Sequence, residues 1–257
     1  MGRFANLEMN PAALAGSRTS AVDWPDLDEA RCVSSADDSF NMGNYDAALT
    51  FYSRALRFDR DLAPAWVGQI RCLLAMNEFR EAVTWSDRAL DRFANTPDLL
   101  ACKGLALAYL GDPEGLAFLD SAVAMKSAGV WVWLARGECL LLHKTAEANA
   151  VRCFMKALEM SGDDWRIELR VGIAYYRAGL PARARGPLLS AVRKCADNRL
   201  ALHNLGLTYQ ALGETESATG CFSRAHSLGC KDSARALEAI RSRGPVTRLF
   251  DSLLRKR

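Results

Sequence analysis

Two series of small residues run through this chain in phase, and together they limit its fold more than any single motif does. The first falls at Ala36, Gly104, Gly137, Gly172 and Gly206, with Ile70 in the slot once; the second falls at Ala55, Ala89, Ala122, Ala157, Ala191 and Ala225. Members of the first series are 34, 34, 33, 35 and 34 residues apart, and those of the second 34, 33, 35, 34 and 34. Self-similarity at a period of roughly 20–50 residues marks a chain built from stacked units, each too small to bury its apolar face alone. The stretch 165–198 shows what one unit contains. Gly172 and Tyr175 lie on one face of a first helix, and Ala184, Leu188 and Ala191 on one face of a second. Gly179, Leu180 and Pro181 supply the turn, since Gly ends a helix in the left-handed region and Pro suits the first turn of the next.

Other copies carry more of the pattern. Residues 201–225, ALHNLGLTYQALGETESATGCFSRA, place Leu205, Gly206, Tyr209, Gly213, Ala218, Phe222 and Ala225 at fixed offsets. An earlier copy has Gly43, Tyr45, Ala48, Tyr52 and Ala55; Trp66 and Trp133 share one position, and Phe154 matches Phe222. This pattern resembles the tetratricopeptide repeat, whose period and W-x2-L-G-x2-Y…A-x3-F spacing it follows. The resemblance implies an all-α fold, a right-handed superhelical solenoid of antiparallel helix pairs. The copies run over 29–62, 63–96, 97–129, 130–164, 165–198 and 199–232, six repeats across 29–232. The first opens atypically, with Cys32 and Ser35 where the family prefers Trp and Leu. The third is one residue short near Asp112 and Pro113, has Gly115 where Ala is expected, and the fourth is one residue long.

Composition fits a folded domain: 50% of residues are hydrophobic and 25% charged. The reading is one elongated domain, since each repeat contacts only its neighbours. Around it, 1–28 reads as a flexible arm carrying Trp24 and Leu27, 233–243 as a capping helix, and 246–257 as a basic amphipathic helix after the Gly244-Pro245 break. In that last helix Val246, Leu249, Phe250, Leu253 and Leu254 fall at i, i+3, i+4, i+7 and i+8. It has three readings: it folds back on the last repeat, inserts in a partner's groove, or touches an anionic membrane surface weakly. No apolar run approaches the roughly 20 residues that span a bilayer, and Asn6, Glu8 and Asn10 break up the start. Eight scattered cysteines make no C-x2-C pair and read as small buried hydrophobes in a reducing compartment, so the expectation is cytoplasmic.

Little in the chain points to catalysis. The three histidines, His143, His203 and His226, lie in different repeats, and no H-E-x-x-H, G-x-S-x-G or phosphate-loop motif occurs. The paired acids Asp37-Asp38 and Asp163-Asp164 fit helix capping. The expectation is a non-enzymatic chain with no cofactor and no metal.

The resemblance implies a partner peptide or helix bound on the face lined by the first helix of each repeat. That register gives Val67, Arg71 and Leu74 in repeat two, and Trp131, Leu134, Glu138 and Leu141 in repeat four. Repeat five gives Arg166, Leu169, Arg170, Ile173, Tyr176 and Arg177, and repeat six gives His203, Asn204, Leu207 and Gln210. Arginine's planar fork suits a carboxylate, so the expected partner segment is apolar or acidic. The clamp of the family's heat-shock chaperone binders uses Lys and Asn where this chain has Val33, Asp37, Val67 and Arg71, so that partner is not expected. Charge is uneven: 1–164 hold 16 basic and 23 acidic side chains and 165–257 hold 17 and 7, net −7 against net +10. Opposite halves suit self-association between copies. Nucleic acid is disfavoured because the basic residues are not interleaved with a stacking platform. The function expected is an adaptor or scaffold, the alternatives being a chaperone-like accessory subunit docked by the C-terminal helix and a self-assembling scaffold.

Overall fold

The computed structural model describes residues 28–143 and 146–242. Among them are thirteen α-helices and no strand. They are α1 (Glu29–Asn41), α2 (Tyr45–Phe58), α3 (Ala63–Ala75), α4 (Phe79–Arg92), α5 (Pro97–Tyr109), α6 (Glu114–Ala124), α7 (Val130–Leu142), α8 (Glu147–Ser161), α9 (Trp165–Arg177), α10 (Pro181–Lys194), α11 (Arg199–Leu212), α12 (Thr215–Ser227) and α13 (Lys231–Ser242). The N-terminal arm, apart from Asp28, and the helix expected over 246–257 lie outside the described residues. Contacts gather the chain into two compact units, Met1–Asp163 and Asp164–Arg257, where the sequence suggests one elongated domain.

In the first unit α1 packs on α2, α3 on α4, α5 on α6 and α7 on α8. Each second helix also packs on the first helix of the next pair, and α1, α3, α5 and α7 touch in succession. The small-residue series explains the pairing. A methyl group at Gly137 would sit 2.5 Å from Phe154 Cε1, so the ring of α8 lies directly on the bare backbone of α7. Burying a Phe in this way is worth about 1.5–3 kcal/mol. In the third pair two backbones meet instead. A methyl at Gly104 would lie 2.6 Å from the Gly115 carbonyl oxygen, and one at Gly115 would lie 2.5 Å from that of Gly104. The replacement of Ala by Gly at 115 therefore has a packing reason. The missing residue of that repeat shows in α6, which has 11 residues against 15 in α8.

The first and second helices are separated by left-handed residues. Gly43, Asn77 and Gly111 have φ of 79°, 63° and 80°, reversing the chain after α1, α3 and α5. Asp37, expected to serve as a cap, instead accepts a hydrogen bond from the hydroxyl of buried Tyr52 on α2.

In the second unit α9 packs on α10, α11 on α12, and α10 on α11. Gly172 receives Leu188, whose Cγ would be 2.5 Å from an added methyl, and Gly206 receives Phe222, whose Cε1 would be 2.6 Å away. Asp164 caps α9 by accepting from the Arg166 backbone N–H, and Asn198 caps α11 by accepting from Ala201. Helix α13 closes the unit by packing on α12, with Leu237 and Ile240 clustered against Ala218 and Phe222.

Candidate functional site

The first helices of the first unit bring one charged side chain into apolar company. Arg71 projects from α3 with its guanidinium carbon 4.8 Å from the centre of the Phe40 ring on α1 and 4.7 Å from that of Trp131 on α7. Both distances fall within the range where a ring's negative face attracts a cation. Arg71 Nε is buried and finds no acceptor among the described residues, whereas the Trp131 side chain is turned toward the Cys102 sulfur and hydrogen-bonds it. A buried unsatisfied donor costs about 1–3 kcal/mol, which the two aromatic faces beside Arg71 offset in part.

Asp98, in the first turn of α5, sits close enough to feel Arg71. Burial raises its carboxyl above the ordinary 3.8, and the Arg71 charge opposes that rise. Burial likewise pushes the Cys102 thiol, on the same helix, up to about 12, against the pull of Arg71. Beyond this cluster the Tyr109 hydroxyl of α5 donates to Glu138 on α7.

The expected lining residues divide between surface and interior. Val67, Arg71, Trp131 and Glu138 are half-buried and share the faces of α3 and α7. Leu74, Leu134 and Leu141 are each 4% exposed, so they belong to the interior and do not line a groove. In the second unit Leu169 is 1% exposed and Asn204 8%, the latter donating its amide to the Leu200 carbonyl one turn back. These corrections share a cause. The apolar stripe of an amphipathic helix is wider than one contact line, so residues at i, i+3 and i+4 spread between a groove and a packed seam.

The second unit's remaining candidates are engaged in different ways. Arg166 folds back on Asp164, its Nε 3.0 Å from Oδ1, which engages the charge within its own cap. Arg170 is half-buried and Arg177 exposed. Ile173, Tyr176, Leu207 and Gln210 are half-buried, and burial raises the Tyr176 phenol. His203 lies 5.7 Å from the Phe222 ring centre and places Nδ1 2.9 Å from Ser233 Oγ. On the neighbouring face of α9, Glu168 Oε1 accepts from Ser190 and from Lys194, both at 2.9 Å.

Sequence reasoning missed two groups. Gly68 on α3 lies beneath Tyr52 of α2, where a methyl would be 2.2 Å from Cζ, so it serves the seam between pairs. A glycine inside a helical run was its only signal. Nor are all cysteines buried: Cys195, Cys221 and Cys230 are partly exposed. Cys230 stands immediately before α13, a capping position that C-K-D-S spacing makes readable only once the helix start is known.

With the geometry in place, the relatives agree on the architecture. A family model, the tetratricopeptide repeat, matches residues 40–105. A tetratricopeptide repeat protein from Parabacteroides merdae is 17% identical, with 90% of this chain and 91% of that one covered at a TM-score of 0.55. A monomeric mutant of human IFIT1 with Gppp-AAAA gives a TM-score of 0.59 at 15% identity, covering 82% of this chain and 54% of that one. PilW, a widely conserved type IV pilus biogenesis factor, gives 0.50 at 16% identity, covering 81% and 98%. No curated protein matches significantly in sequence. The chain is thus an all-α array of tetratricopeptide helix pairs, and similarity at these identities carries the fold alone.

Proposed function

We propose that this chain is an adaptor or scaffold that holds a segment of a partner protein on the face formed by α1, α3, α5 and α7. The observation that carries this reading is Arg71 itself, a half-buried cation held between the rings of Phe40 and Trp131 with its Nε unfilled. An acidic side chain or a terminal carboxylate on the partner pairs with the exposed part of the Arg71 guanidinium, and apolar residues beside it meet Val67 and the ring edges. Repeat arrays present extended surfaces suited to such segments. In the second unit, half-buried Ile173 and Tyr176 on α9, with Arg170 and Arg177 on the same helix, support a second contact of similar chemistry. Hydrogen bonds to a charged group are worth about 1.5–3 kcal/mol, which is a tenfold or greater effect on affinity.

The test is a displayed peptide library panned against the whole chain, with the enriched peptides then titrated against the chain and its Arg71→Met variant. Methionine keeps the bulk and removes the charge and the donor. The expected outcome is enrichment of peptides with an acidic residue among apolar ones, and at least about tenfold weaker binding to the variant with its helical signal intact. Enriched peptides lacking an acid, or bound equally by the variant, would overturn the reading.

A further inference from the structure

Arg71 shares its register with other charges on the face of α1, α3, α5 and α7. Asp37, Arg71, Leu105 and Glu138 each directly follow a position of the first small-residue series, Ala36, Ile70, Gly104 and Gly137. Across the four first helices that position therefore reads acid, base, apolar, acid. Leu105 is buried and belongs to the interior. Asp37 is exposed, and its Oδ1 accepts a hydrogen bond from the hydroxyl of buried Tyr52. Glu138 receives the Tyr109 hydroxyl in the same way. A tyrosine thus holds each acid in place.

Packing sets Asp37 beside Arg71. Tyr52 lies on the bare backbone of Gly68, where an added methyl would be 2.2 Å from Cζ. Gly68 stands one turn before Arg71 on α3, and Asp37 stands one turn before Phe40 on α1. Phe40 is the ring that lies 4.8 Å from the Arg71 guanidinium carbon. Two contacts one turn apart therefore tie α1 to α3: the partner of Asp37 rests on Gly68, and Phe40 meets Arg71. A turn rises about 5.4 Å, which sets the scale on which the carboxylate and the guanidinium are separated. Each charge has its own holder, a hydroxyl for the carboxylate and two rings for the cation. An ionised carboxylate offers about four acceptor sites, and the Tyr52 hydroxyl occupies one.

A segment that brings only an acid to Arg71 also meets the like charge of Asp37. A base close to that acid turns the repulsion into a second pairing, and complementary charges of this kind select among partners. The surrounding charge points the same way, since residues 1–164 carry 23 acidic side chains against 16 basic. We infer that this face selects a dipolar segment, in which a lysine or arginine within about one helical turn of the Arg71-bound acid pairs with Asp37. Asp37 is the specificity-determining residue. The inference rests on the docking of an acid at Arg71 and names the second half of the partner.

The experiment measures binding of the whole chain to synthetic apolar peptides that carry one Glu, with Lys or acetyl-lysine at increasing distance on either side. Acetyl-lysine keeps the length and removes the charge. Wild type is expected to bind the best Glu–Lys peptide about threefold more tightly than its acetylated twin, within the range of an exposed ion pair. In Asp37→Asn, whose amide oxygen can still accept from Tyr52, that advantage should vanish while the acetylated peptide binds at least as well as before. Equal binding of the two peptides by wild type, or an advantage that survives in Asp37→Asn, would overturn the inference. Should that variant fail to fold, the wild-type pair decides alone. Arg71→Met separates this inference from the reading beneath it. If the variant binds every Glu peptide more weakly while lysine makes no difference to wild type, only the dipolar partner falls. If it binds them all as wild type does, docking at Arg71 falls and the dipolar partner with it.

Discussion

Arg71 in the first unit and His203 in the second stand on the first helices of their pairs, yet their surroundings use them differently. Arg71 lies between the rings of Phe40 and Trp131, with its Nε left unfilled. His203 is joined to Ser233 and to Cys230, so its bonding capacity is spent inside the unit. Aromatic faces stabilise a cation without accepting its hydrogen bonds, whereas a hydroxyl and a thiolate take them up. The same scaffold therefore leaves a cation against bare aromatic faces in one unit and ties an imidazole into its own unit in the other.

That comparison assumes equal packing beneath both sites, and the glycine seams test it with the largest expected effects. Gly137→Ala drives a methyl to 2.5 Å from Phe154 Cε1, and Gly206→Ala drives one to 2.6 Å from Phe222 Cε1. Each ring must shift within a filled seam, so each variant should lose about 1–3 kcal/mol in urea unfolding. Similar losses would leave polar chemistry as the difference between the units. A large loss in one and none in the other would show that the scaffold itself differs.

The fold was legible because close helix approach demands small residues at fixed phase, which makes Gly137, Gly172 and Gly206 visible as a series with their partner alanines. Gly68 escaped because it serves the seam between pairs and has no counterpart at the period. The candidate site was half legible. Arg71 and Trp131 could be assigned to one face by register, but Phe40 is brought to Arg71 from another repeat. Leu74, Leu134 and Leu169 shared that register and are buried, because periodicity shows which side of a helix is apolar and not what covers it. Cys230 looked like one more small hydrophobe, since His203 reaches it from 27 residues back in the sequence and no spacing rule joins them.

A smaller effect distinguishes the first unit's charge cluster by pH. Asp98 has its carboxyl raised by burial, with Arg71 opposing. An acid whose native pKa exceeds its unfolded one adds stability in its protonated form. That contribution is whole below the ordinary 3.8 and is lost as pH rises through the raised native value. Asp98→Asn should therefore gain on the wild type in urea midpoint as pH is taken from about 4 to about 7, while Arg71→Met should make the wild-type fall steeper. Parallel pH curves for wild type and Asp98→Asn would mean that the carboxyl is solvated and that Arg71 has no internal acid to balance.

The smallest effect has the opposite sign. Gly220 lies inside α12 with no atom within 4 Å of where its methyl would be, unlike Gly206 on the partner helix. Nothing in the seam requires it, and a glycine in a helix interior is less favourable than alanine by about 0.5–1 kcal/mol. Gly220→Ala should raise stability by about that amount in the same urea assay. A loss of stability would show that this face of α12 is packed. The seam of the second unit would then extend beyond Gly206 and Phe222, and its packing could no longer be set beside that of Gly137 and Phe154 as like with like.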